Sequence, residues 1–189
     1  MLPDCGNAVY GVALNFRAEL ERLAPPLPVA PVLYLRPRNT WNKSGEPIRI
    51  PAGVSELKMA GTVGVVMGRA LSYVAVNDVS IPHESYFRPA IRERCRDGFC
   101  VVGSETTHHA PAEIRTWIND ELRCRANLAD LVRPIEGLIA DISQFLTLQP
   151  GDILLIGEPP ASPLARAGDR VRVEIDGLAP IENQVVVRE

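Results

Sequence analysis

Leu57-Lys58-Met59-Ala60-Gly61-Thr62-Val63-Gly64-Val65-Val66-Met67-Gly68 is followed closely by Ser72-Tyr73-Val74-Ala75-Val76-Asn77-Asp78-Val79-Ser80. Val63–Met67 is a β-branched run closed by a glycine, and Ser72–Val76 reads as the next strand. Only Arg69-Ala70-Leu71 separate Gly68 from Ser72. Parallel neighbours need a crossover of about a dozen residues or more, so a tight turn must join these two strands.

Working outward, strands recur. Ala8–Leu14, Val32–Leu35, Ile48–Ile50, Ile153–Ile156, Val171–Ile175 and Gln184–Val187 are short apolar runs bounded by turn residues. Ile114–Ile118 and Glu121–Arg125 flank Asn119-Asp120, a pair that accepts positive φ, which predicts a hairpin. Leu131, Ile135, Leu138, Ile139, Ile142, Phe145 and Leu146 recur at helical spacing and predict one principal amphipathic helix, with Pro134 in its first turn. A shorter helix reaches about Leu23, with Asn15 as its cap. Ala24–Pro31 is proline-rich and reads as an extended connection, and Arg36–Glu46 as a polar loop. Many strands with little βα alternation argue for an α+β domain, a mixed β-roll and not a doubly wound sheet. A chain of 189 residues fits a single domain over positions 1–189.

Composition excludes several roles. The net charge of −3 gives no electrostatic reason to expect nucleic acid. Met1–Asn15 carries no Lys or Arg and does not read as a signal peptide. No apolar run approaches the roughly 20 residues of a membrane helix, so a cytoplasmic chain that binds no membrane is expected. Cys5, Cys95, Cys100 and Cys124 include no C-x-x-C pair, and they read as small buried or half-buried thiols. Zinc held by Cys95, Cys100 and His108 or His109 is the competing reading, at a spacing that matches no usual ligand pattern.

Further motifs extend the pattern: Tyr10-Gly11-Val12-Ala13-Leu14-Asn15, Arg36-Pro37-Arg38-Asn39-Thr40, Asn77-Asp78-Val79-Ser80, Arg94-Cys95-Arg96-Asp97-Gly98, Leu148–Pro159 and Gly168-Asp169-Arg170-Val171. In this order they make the chain resemble the fumarylacetoacetate hydrolase family, whose fold is a mixed β-roll. Arg36–Thr40, His83–Ile91 and Cys95–Cys100 resemble members that isomerise or decarboxylate 2-oxo di- and tricarboxylates in 4-hydroxyphenylacetate (homoprotocatechuate) breakdown. Some of these carry two fused copies of the fold, and others split the copies into sister subunits.

The resemblance implies a divalent cation, Mg or Mn, held by a Glu-x-Glu pair and an Asp. That ion would chelate the 2-oxo-acid end of the substrate. Here the two Glu positions read Ala60 and Thr62, and Asp78 alone matches a ligand. Metal binding is therefore expected to be weak or absent, with no metal ligand set assigned. A site rebuilt from Asp78, His83, Glu84, Glu56 and Glu158 is the alternative. Arg94 and Asp97 stand at the Lys and Asp of the family's K-x-x-D motif, Arg36 replaces another Lys, and Glu158 stands where a Thr is usual. These matches nominate Asp78, Arg94 and Asp97 as catalytic residues, and Arg36 and Glu158 as substrate-binding ones. Guanidinium groups suit a polycarboxylate substrate. The competing readings are a turn carboxylate for Asp78 and a surface ion cluster for the arginines. The family's lid dyad falls on Glu19 and Arg22, so it is not retained.

Two functions follow from the resemblance: a decarboxylase or isomerase, or a non-catalytic partner of a catalytic sister subunit. The family's helix between the two quoted strands is missing, which should uncover the valine-rich strand. A homodimer, or a hetero-oligomer with a sister subunit, is the expected way to cover it.

Overall fold

A computed structural model describes residues 7–23, 28–83 and 90–187. Cys5, Glu84, Arg88 and half of the proline-rich connection (residues 24–27) lie outside the described residues. The elements run β1 (Val9–Ala13), α1 (Arg17–Leu23), β2 (Val32–Arg36), β3 (Trp41–Lys43), β4 (Ile48–Ile50), β5 (Leu57–Val66) and β6 (Ser72–Ser80). After these come α2 (Ile91–Arg94), β7 (Cys100–Thr107), β8 (Glu113–Ile118), β9 (Glu121–Asn127) and α3 (Ile135–Ser143). The chain closes with β10 (Ile153–Leu155), β11 (Leu164–Ala165), β12 (Arg170–Ile175) and β13 (Ile181–Val187).

The quoted stretch forms the central hairpin. β5 and β6 pair antiparallel from Lys58↔Ser80 to Val66↔Ser72, with residues 67–71 as the turn. Around it the larger sheet runs β2-β1-β10-β5-β6-β7-β3, with β11 also on β5. A second sheet runs β4-β13-β12-β8-β9 and contains the hairpin at Asn119-Asp120, both at positive φ (51° and 66°).

The larger sheet cannot be flat. Four strand spacings of roughly 4.8 Å separate β2 from β6 along the sheet, about 19 Å. Yet the Tyr34 hydroxyl on β2 donates to Asp78 on β6. The two outer strands β2 and β3 are also joined by residues 37–40 alone, and the Trp41 indole N–H reaches the Arg36 carbonyl at 3.3 Å. The sheet therefore rolls until its edges nearly meet, which is the expected β-roll.

Rolling gives the sheet an inner and an outer face. Met59, Val63, Val65, Ala75 and Val79 point outward into the main core, shared with Ile114, Val171, Val173 and Ile181 of the second sheet. Gly61 is a point of close approach between the two sheets: a Cβ there would sit 2.5 Å from Thr116 Oγ1 and 2.9 Å from Val173 Cγ1. Gly61→Ala should thus lower the unfolding free energy by about 1–3 kcal/mol through overpacking. A urea midpoint that falls at unchanged m-value would register it. On the inner face, Val9, Val74, Val76, Cys100, Val102, Ile153 and Leu155 form a separate, smaller cluster.

Several expectations change in the folded chain. α3 begins at Ile135, not near Leu131, because Pro134 holds the preceding backbone extended; Leu131 instead bridges to Phe16. Phe145 lies past the helix end and is 63% exposed. Asn15 does not cap α1. Its amide donates to Ile156 O (2.7 Å) and Arg133 O (3.1 Å), and its carbonyl accepts from Arg133 N (2.9 Å), tying three segments together. The polar Arg36–Glu46 loop contains a 3-10 turn and β3. The valine-rich strand is not uncovered either, since Val63 and Val65 are fully buried and Ile135, Leu138 and Ile142 of α3 share their core. A cover supplied within the chain removes the physical reason given for an oligomer.

Candidate functional site

The inner face of the roll carries a buried polar group at one end. Lys58, Ala60 and Thr62 alternate along β5 and so share a face, and their cross-strand partners on β6 are Ser80, Asp78 and Val76. Ala60 thus stands directly opposite Asp78. On β1 and β2, Gly11 pairs with Tyr34 and Val9 with Arg36. A Cβ at Gly11 would fall 2.1 Å from the Tyr34 ring, so only glycine lets the ring lie across β1 and turn its hydroxyl inward. The last turn of α2 supplies Arg94, and the segment after β10 supplies Glu158.

Asp78 has no exposed surface; its Oδ2 accepts two hydrogen bonds, and its Oδ1 makes an ion pair without a hydrogen bond. Arg36 Nη2 pairs with its Oδ1, the Tyr34 hydroxyl donates to Oδ2, and Arg94 Nη1 lies 3.3 Å from Oδ2. The same Arg94 Nη1 contacts Glu158 Oε1, and Lys58 Nζ donates to Glu158 Oε2 at 2.6 Å. Arg94 also lies over the Tyr34 ring, 4.3 Å from its centroid. Tyr34, Lys58, Asp78, Arg94 and Glu158 are in this way linked into one group, closed on the far side by Arg36.

Electrostatics follow from burial. Burial, then the Asp78 carboxylate, push the Tyr34 phenol well above its ordinary value, so it stays a neutral donor. Burial opposes charge on Arg94, but Glu158, Tyr34 and Asp78 outweigh it and the guanidinium pKa is raised. Glu158 shows the reverse: burial raises its pKa, yet Arg94 and then Lys58 pull it down to about 2. With Tyr34 neutral, three cations face two carboxylates. One positive charge is left over, and Lys58, 20% exposed at its side chain, is the most accessible of the three cations.

The residues nominated from sequence divide clearly. Asp78, Arg94, Arg36 and Glu158 are brought together. Asp97 is not: it is exposed, and its carboxylate accepts from Asn39 Nδ2 at 2.8 Å. Arg36 is wholly buried and donates to Val79 O (2.7 Å) and Arg94 O as well as pairing with Asp78, which makes it an internal brace between β2, β6 and α2. Glu56 is half-buried and pairs with Arg166 at 3.3 Å, not with Asp78 or Glu158. Glu19 is buried on α1 and pairs with Arg22 at 3.6 Å. Cys100 lies inside the roll with its thiol pushed up to about 12 by burial, and Cys95 donates to Leu35 O.

Lys58 and Tyr34 were not among the residues nominated from sequence. The signal for Lys58 was a lone cation two residues before Ala60 on the same strand face. For Tyr34 it was a glycine inside an apolar strand, the mark of a close approach by another group.

The donor set does not fit the divalent ion that the family resemblance implies. Ala60 offers no donor, and the Thr62 hydroxyl is engaged, donating to Gly157 O at 2.7 Å. Both Asp78 oxygens already face cations or a phenol, as described above. Among the described residues, no three His, Cys, Asp or Glu side chains converge as a ligand group.

Residues 8–186 match the family described as fumarylacetoacetate (FAA) hydrolase C-terminal. The chain is 39% identical to an Escherichia coli 4-hydroxyphenylacetate degradation bifunctional isomerase/decarboxylase, over 95% of this chain and 47% of that protein. It thus spans about half the length of the first curated relatives it matches. Among solved structures, 5-carboxymethyl-2-hydroxymuconate delta-isomerase from Mycobacterium smegmatis is similar at TM-score 0.85 and 26% identity, covering 100% of this chain and 82% of that one. Maleylpyruvate hydrolase from Sphingobium sp. SYK-6, solved with manganese(II) and pyruvate, is similar at TM-score 0.78 and 25% identity, covering 96% of this chain and 71% of that one. No helix among the described residues is long and apolar enough to cross a membrane.

Proposed function

The chain belongs to the fumarylacetoacetate hydrolase family, and from that premise we propose that it is the metal-free copy in an isomerase or decarboxylase assembly. The assembly acts on small 2-oxo di- or tricarboxylates, as the name of its Escherichia coli relative suggests for 4-hydroxyphenylacetate breakdown. A metal-bearing copy of the fold, fused or separate, supplies the divalent ion. When bound, such an ion stabilises the enolate formed as a C–C bond breaks or a proton moves. This chain completes the assembly and presents a cationic end to anionic substrates.

One observation carries the reading. Ala60 stands where a ligand would face Asp78, and both Asp78 oxygens are held by side chains of the protein itself. Polarisation by a metal supplies several kcal/mol at the transition state. The chain alone, with magnesium, should then turn over a 2-oxo-heptenedioate type substrate at least ~100-fold more slowly than a metal-bearing homologue. Mixing it with its metal-bearing copy should restore activity and stabilise that copy. Full activity of the chain alone would sink the proposal.

A second reading is favoured by the unmatched positive charge. Here the chain itself is the catalyst, Lys58 holds a substrate carboxylate, and Arg94 and Asp78 fix the polar end of the site. Turnover by the chain alone that persists in a chelator, and is lost in Lys58→Met, would select it.

A further inference from the structure

We infer that Arg94 is the resident cation of this site: its Nη1 bridges Asp78 and Glu158 and takes the electrostatic place of the divalent ion. The inference deepens the metal-free reading above and rests on it. The geometry is that of a cation between two carboxylates. Nη1 lies 3.3 Å from Asp78 Oδ2 and in ion-pair contact with Glu158 Oε1, on the strand face where Ala60 stands opposite Asp78. The guanidinium carbon lies over the Tyr34 ring, 4.3 Å from its centroid, and the α2 backbone carrying it is held because Arg36 donates to Arg94 O.

Glu158 and Lys58 complete the exchange. A carboxylate beside Asp78 would be repelled in a buried site without a cation between them. Arg94 supplies that cation from one side and Lys58 neutralises the outer oxygen of Glu158 from the other. An ion in the same place would have to displace a guanidinium that is ion-paired with two buried carboxylates. Losing the charge of Arg94 should therefore do more than loosen the fold. It leaves two carboxylates facing one gap, a pair of hard oxygen ligands of the kind a small divalent ion takes alongside its waters.

The test is thermal melting and manganese titration by paramagnetic resonance on the full chain, for wild type, Arg94→Gln and Arg94→Lys. Wild type should melt at the same temperature in Mn²⁺ and in chelator, and should leave the free Mn²⁺ signal unchanged. Arg94→Gln should melt lower in chelator. It should then gain roughly 5–10 °C at Mn²⁺ concentrations a hundredfold above its dissociation constant. Arg94→Lys, which keeps the charge, should stay indifferent to the ion. If Arg94→Gln does not fold in chelator, refolding with Mn²⁺ reads the same linkage: recovery supports the inference, and failure to recover overturns it. A folded Arg94→Gln that ignores Mn²⁺ overturns the inference while leaving the metal-free reading intact. Stoichiometric Mn²⁺ on the wild type overturns both.

Discussion

Asp78→Asn should lower the unfolding free energy by about 3–5 kcal/mol, more than any other single substitution at this site. Asparagine keeps the shape of the side chain and removes its charge. Arg36 then loses its carboxylate while its side chain remains fully buried, and its Nε already has no hydrogen-bond partner. Arg94 loses one of its two carboxylates, and Tyr34 keeps only a neutral acceptor. An uncompensated buried guanidinium is far costlier than a missing surface ion pair, which contributes at most about 1 kcal/mol.

Urea unfolding of Asp78→Asn, Arg36→Met and the double variant would check this. The double variant should lose clearly less than the sum of the two singles, because it removes the stranded charge together with its counterion. A single Asp78→Asn within 1 kcal/mol of wild type would mean that Arg36 finds water or another partner. In that case the group is not the closed unit described above.

How much of this was legible follows from which forces are local. The β5–β6 hairpin could be read because its determinants sit within the quoted stretch: a β-branched run, a glycine and a connection too short for a crossover. The Asn119-Asp120 hairpin was equally local, since two positive-φ positions specify the turn. β7 was not assigned as a strand. After Cys100-Val101-Val102 its residues turn polar, and pairing with β6 and β3 holds the backbone extended where propensity would not.

The site divides along the same line. Asp78, Arg94, Arg36 and Glu158 stood out as charges set in apolar or motif contexts. Asp97 carried the same motif signal, but it follows Arg94 by three residues beyond the end of a four-residue helix, and the chain turns it outward to Asn39. Tyr34 meets Asp78 only once the sheet has rolled and brought β2 across to β6, and Lys58 meets Glu158 from a hundred positions away in sequence. No pattern along the chain encodes that curl. The same limit explains the oligomer argument, because residues buried in one core with Val63 and Val65, among them Val171 and Val173 of β12, lie about a hundred residues further on.

Acid should weaken the fold most steeply between pH 4.5 and about 2, with Glu158 as a principal cause. Its pKa is depressed in the folded chain, so its ionised form stabilises the native state. That contribution is complete above the ordinary value of 4.5 and is lost as pH falls through about 2, where the folded carboxylate takes up its proton. The size of the shift corresponds to roughly 3 kcal/mol at neutral pH. Glu158→Gln should therefore be less stable than wild type at pH 7 and should lose less further stability on acidification. The two stability curves should converge toward pH 2. Parallel curves across that window would show that the acid sensitivity belongs to other carboxylates. They would also mean that Arg94 and Lys58 do not hold Glu158 as a charged partner, since a carboxylate gripped by two cations cannot give up its charge without the fold registering the loss.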